Sequence, residues 1–142
     1  MECLQEAFES LLFLKPVVKD TLREFVRRLK EAEGENLLRV VLFGSMARGD
    51  FDEESDTDVF VLLKEGGEFQ KLMEVSNICS DTSYDMAFDN SENPEQWYVL
   101  LSPLVETDQS IKRKIKGIPR WRFEPVFEAI REEKMTLFNI GC

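Results

Sequence analysis

Apolar residues recur along this chain in two periods, and the switches between them lay out the elements. Leu4, Ala7, Phe8, Leu11 and Leu12 keep the three- and four-residue spacing of one helix face, which predicts a short amphipathic helix over 3–14. Pro16 breaks it or starts the next one. Val18, Leu22, Phe25, Val26 and Leu29 repeat the spacing over 17–33, with Gly34 just past the end, where a C-terminal cap belongs. LLRVVLF, residues 37–43, is apolar and β-branched and reads as a strand, which Gly44-Ser45 ends abruptly. The acidic loop DFDEES leads to TDVFVLL, residues 57–63. This second strand is apolar on both faces beyond Asp58, as a central strand is.

Gly66-Gly67 is a turn, and Phe69, Leu72, Met73 and Val75 predict a helix to about Cys79. TSYDMAF, residues 82–88, reads as a third strand, and 89–94 as a loop. Trp97 to Glu106 supplies a fourth strand, with Pro103 limiting its length or placing it at an edge. Pro125 to Lys134 is a short helix and Met135 to Ile140 a last extended piece. Helices alternating with about four strands give an α/β (α+β) fold, a mixed sheet flanked by helices. At 142 residues, one domain over 1–142 is expected. Its parts are an extra N-terminal helix (1–15), a core (37–90), and a basic segment with a C-terminal helix (112–142).

Composition narrows the chemistry. The longest early apolar run, Leu11 to Leu14, is four residues long and follows Glu6 and Glu9, a poor signal peptide. With no stretch near the length of a membrane span, a soluble cytoplasmic protein is expected. Cys3, Cys79 and Cys142 have no metal-binding or disulfide-framework spacing. Histidine is absent, which removes Ser-His-Asp and Cys-His catalysis and His-ligated metals. Carboxylates, Lys, Arg, Tyr, Ser or Thr must do any chemistry. A formal charge of −10 disfavours nonspecific contact with nucleic acid. Against that charge, Lys112, Arg113, Lys114, Lys116, Arg120 and Arg122 run without an acid among them. They form either a solvated loop or a grip for phosphate or an acidic acceptor. Trp121, within that run, is either core or a surface on which a base could stack.

One stretch concentrates candidate chemistry. Gly44 after an apolar strand allows a sharp turn and close approach by a ligand. Ser45 is placed to cap a helix beginning at Met46, whose N–H groups suit a phosphate, and Arg48 adds charge-assisted bonds. Asp56 and Asp58, two apart at a strand's start, share a face and repel unless a cation lies between them. Asp85, inside the expected third strand, would lie near Asp58 and complete a metal site or take a proton. Asp81 and Asp89 sit at that strand's ends.

Together these residues resemble the signature of the DNA polymerase β-like nucleotidyltransferase superfamily. Gly44-Ser45 is followed after ten residues, Met46 to Ser55, by Asp56-Thr57-Asp58. The Ala47-Arg48-Gly49 that follows Met46 is similar to that of the minimal, stand-alone members. The resemblance spans about residues 37 to 90 and implies a nucleotidyltransferase fold. It also implies that Gly44 and Ser45 hold a nucleoside triphosphate, with ATP the expected donor. Asp56 and Asp58 would carry two Mg²⁺ ions, and Asp85 would bind one of them and help deprotonate the acceptor. Many minimal members are similar to antitoxins acting beside a HEPN-type toxin, some of them by AMPylation of it. A partner protein is therefore the expected acceptor. A non-catalytic nucleotide- or toxin-binding module, and transfer to a small molecule such as an aminoglycoside, stay open.

Overall fold

The computed structural model describes residues 15–48, 55–90, 98–133 and 135–139. The expected helix over 3–14 and most of the acidic loop lie outside them. A four-stranded sheet carries the fold, in the order β3-β2-β1-β6. Its strands are β1 (Leu37–Phe43), β2 (Thr57–Leu63), β3 (Leu101–Thr107) and β6 (Met135–Asn139). β1 is antiparallel to β2 and to β6, whereas β2 and β3 are parallel, from Thr57 beside Leu101 to Leu63 beside Thr107. The sheet is mixed, as the pattern predicts. β2 is central, and Pro103 sits on an edge strand.

Alternation along β2 sorts the core into two layers. Val59, Val61 and Leu63 pack with α1 (Pro16–Glu33) through Leu22, Phe25 and Leu29. The same layer takes in Val75 and Cys79 of α3 (Glu68–Asn90). Phe60 and Leu62 turn to the other face, against Phe127 and Ile130 of α6 (Pro125–Glu133). The Phe60 and Phe127 rings meet edge to face at 6.1 Å. The remaining elements are short: α2 (Ser45–Arg48), α4 (Asp108–Lys112), the hairpin β4 (Lys114–Ile115) and β5 (Ile118–Pro119), and α5 (Arg120–Phe123).

The expected strand over 82–88 is not a strand. α3 continues without a break from Glu68 to Asn90. Its buried positions are Val75, Cys79, Thr82, Ser83 and Ala87, a helical spacing carried by small residues that let the helix lie close to α1 and the sheet. The Thr82 hydroxyl donates to the Ile78 carbonyl at 2.6 Å, the back-bond of a helical threonine. The large apolar residues that suggested a strand, Tyr84 and Phe88, face outward and lie against each other at 4.4 Å. The third strand of the sheet is instead Leu101–Thr107, which overlaps the segment expected to be the fourth and ends one residue beyond it.

Candidate active site

β1 ends where β2 begins, and the antiparallel register sets Phe43 opposite Asp58. Gly44 follows with φ +77°, a sign that L side chains rarely adopt. A Cβ on Gly44 would overlap Asp58 Oδ2 and lie 3.2 Å from its Cγ. Glycine is required twice here, by the backbone and by the carboxylate lying against it. The Gly44 carbonyl accepts from the N–H groups of Ala47 and Arg48, both at 3.1 Å, and so starts α2. Ser45 is therefore the first residue of the turn rather than the cap of a helix beginning at Met46. Met46 is buried in the α1/α3 layer and anchors the turn, while Arg48 is exposed. The leading N–H groups of such a turn have no acceptor within it.

Asp58 is half-buried, and its place on β2 puts it on the Phe60–Leu62 side of the sheet. Asp56 precedes the strand and is exposed. Burial pushes the Asp58 carboxyl above its ordinary value, the charge of Asp56 pushes it further, and Arg48 opposes them. The two carboxylates feel each other, and the guanidinium of the glycine turn acts on the same group. Asp56, Asp58, Gly44, Ser45 and Arg48 are thus brought to one end of the sheet, as the spacing implies.

Asp85 does not join them. It lies on α3, which covers the face opposite to that of Asp58, and its carboxylate pairs with Arg28 Nη2 of α1 at 2.9 Å. Asp81 and Asp89 are exposed on the same helix. The neighbour of Asp58 on β3 is Ser102, half-buried and in register with it. No short motif marks Ser102, and only the pairing of β3 with β2 reveals it. Glu106, the acid of β3, lies four residues further on. It accepts from Ser110 Oγ at 2.5 Å and from Arg120 Nη2 at 3.0 Å.

The basic run lies elsewhere. β3 leads away from Ser102, and Thr107 caps α4, which ends at Lys112. Five residues of strand carry the chain about 17 Å from the level of Asp58. Lys112 pairs with Asp108 at 2.9 Å, Arg113 with Glu68 at 3.3 Å, and Arg120 with Glu106 and Glu124. The Trp121 ring lies beneath the Arg131 guanidinium, 5.9 Å from it. Gly66, Glu68, Thr107, Lys112 and Arg113 line a shallow depression of about 540 Å³ there. Its cations are paired, Lys112 with Asp108 and Arg113 with Glu68.

The Asp56 and Asp58 carboxylates fit a divalent cation. Mg²⁺ characteristically takes one or two carboxylates and completes its shell with substrate phosphates and water. The repulsion felt by Asp58 is what such an ion would remove. No cluster of three or more ligating acids, cysteines or histidines occurs among the described residues. No helix among them is long and apolar enough to cross a membrane.

Comparison with known proteins agrees with the geometry. Residues 21–120 match the model of the nucleotidyltransferase domain family. "Putative protein adenylyltransferase MJ0141" of Methanocaldococcus jannaschii is 35% identical over 86 residues, 61% of this chain and 76% of that protein. "Putative protein adenylyltransferase MJ0604" of the same organism is 28% identical over 103 residues, 72% of this chain and 82% of that one. A crystal structure of a "putative nucleotidyltransferase" from Sulfolobus solfataricus aligns over 89% of this chain and 90% of its own, with TM-score 0.47 and 18% identity. With the glycine turn and the paired aspartates at one end of a mixed sheet, the chain belongs to the nucleotidyltransferase domain family.

Proposed function

We propose that this protein transfers AMP from Mg·ATP to a hydroxyl of a partner protein. The observation that carries the reading is the Gly44–Asp58 contact. The glycine turn that starts α2 lies directly against Asp58, whose carboxyl feels burial and the charge of Asp56, so phosphates and their cation would be held side by side. Asp56 and Asp58 would hold the ion. The Ser45 hydroxyl and the first backbone N–H groups of α2 would donate to oxygens of the β- and γ-phosphates, with Arg48 adding charge. A bound ion would supply neutralisation of the charge developing on the phosphates. The acceptor oxygen forms a bond to the α-phosphorus, the bond to the bridging oxygen breaks, and pyrophosphate leaves while the hydroxyl proton passes to solvent or a neighbouring base. Orientation of the triphosphate for in-line attack is the work of this chain's own residues.

The protein acceptor is supported by the names of the two M. jannaschii relatives, and a HEPN-type toxin is the first acceptor to try. A second reading is favoured by one observation: Asp85 is committed to Arg28, leaving two carboxylates rather than three in the described site. On that reading the domain binds nucleotide without turnover. Incubating the protein with α-labelled ATP, Mg²⁺ and a lysate of its source separates the two, with Asp58→Asn as control. Label on a protein band with the native form alone is the expected result. Label on RNA or a small molecule refutes the acceptor. No labelled product with any of the four nucleotides, beside retained nucleotide binding, favours the binding module.

A further inference from the structure

Ser102 occupies a position that no part of the signature predicts. β2 and β3 are parallel and in register through seven residue pairs, which makes Ser102 the direct neighbour of Asp58. Two residues on, Phe60 and Leu104 are likewise partners, and both pack into the α6 layer. Side chains at registered positions share a face and stand about 4.8 Å apart. The half-buried Ser102 hydroxyl is therefore within reach of whatever the Asp58 carboxylate binds.

Among the described residues, the two acids nearest in sequence pattern and strand pairing, Asp85 and Glu106, are committed elsewhere. Asp85 is held by Arg28 across α1 and α3, and Glu106 by Arg120 and Ser110 at the other end of β3. A neutral donor thus stands beside a carboxylate that already feels burial and the charge of Asp56. A hydroxyl there can donate to Asp58 or to a phosphate oxygen without adding a third negative charge. Two carboxylates and the phosphates of one nucleotide match the oxygen ligands of one Mg²⁺. A second ion would need a further anionic ligand.

We propose that Ser102 makes this a one-ion site, loading a single divalent cation with the nucleotide, and that this one position on β3 sets the metal count. The inference rests on the assignment of Asp56 and Asp58 to the metal–nucleotide complex, and the test separates the two. Mn²⁺ is titrated by electron paramagnetic resonance in the presence of a non-hydrolysable ATP analogue, against the native protein, Ser102→Asp and Asp58→Asn. Circular dichroism melts check that each variant is folded.

One Mn²⁺ per native chain is expected. In Ser102→Asp a second ion should bind, with Mn²⁺ affinity rising about tenfold from the added ligand charge. Two ions on the native protein would overturn the proposal while leaving the site assignment intact. A folded Ser102→Asp that still binds one ion with unchanged affinity would overturn it as well, because position 102 would then not reach the metal. Native-like Mn²⁺ and nucleotide binding by Asp58→Asn would sink the underlying assignment instead. Should Ser102→Asp fail to fold, the count on the native protein alone decides.

Discussion

Gly44→Ala tests the turn that joins the two halves of the site. The substitution has two separable consequences. An L-residue at φ +77° bears the left-handed penalty, about 1–2 kcal/mol. For a chain of this size that corresponds to a melting temperature lower by about 3–7 °C. The new methyl also overlaps Asp58 Oδ2 and stands 3.2 Å from Asp58 Cγ, so the carboxylate must swing away. Gly117→Ala supplies the comparison. Gly117 has φ +80° in the β4–β5 turn, and a Cβ there meets nothing within 4 Å. That variant should show the strain without disturbing a carboxylate. Thermal melts and calorimetric titration with Mg²⁺ and a non-hydrolysable ATP analogue read both effects. Both variants should melt lower, but Gly44→Ala alone should lose nucleotide affinity, by about tenfold or more for one displaced charged ligand. If Gly44→Ala binds nucleotide as the native protein does, the close approach of Gly44 to Asp58 is not what organises the site.

Three further outcomes follow from the same geometry. Asp58→Asn should raise the thermal stability of the nucleotide-free protein at neutral pH. A carboxyl whose folded pKa is raised costs stability when ionised, so the gain should be full above that pKa and vanish as pH falls below the ordinary carboxylate value. Added Mg²⁺ and nucleotide should stabilise the native protein and not this variant. Asp85→Asn breaks a half-exposed pair with Arg28, so it should change stability by less than about 1 kcal/mol and leave Mn²⁺ and nucleotide binding unchanged; lost metal binding would restore Asp85 to the site. Glu106→Ala strips a largely buried partner from Arg120, whose own side chain is 14% exposed. Chemical denaturation should register a loss of about 3 kcal/mol, with nucleotide affinity retained because the pair lies at the far end of the sheet.

What the chain's own pattern determines is local. Strands 37–43 and 57–63 are continuous β-branched runs bounded by turn residues, and they form within those bounds. α1 needs only its apolar spacing and the prolines and glycines at its ends. The paired aspartates and the glycine turn are also legible, because two residues apart on a strand and one sharp turn are short-range facts. Where the reading failed, short-range facts conflict. Residues 82–88 contain Thr, Tyr and Phe, which favour strands, but the buried side of that segment is made of small residues whose helical spacing appears only once α1 and the sheet lie against it. Reading that segment as a strand put Asp85 beside Asp58. As a helix covering the opposite face, it gives Asp85 to Arg28. Which residue stands beside Asp58 is a question of long-range pairing between strands about 40 residues apart, and no local pattern encodes it. Tertiary structure alone gives that place to Ser102 and sends the basic run to the opposite end of the sheet. Side-chain periodicity sets which face a residue occupies within its own element, but only packing between elements decides which faces meet.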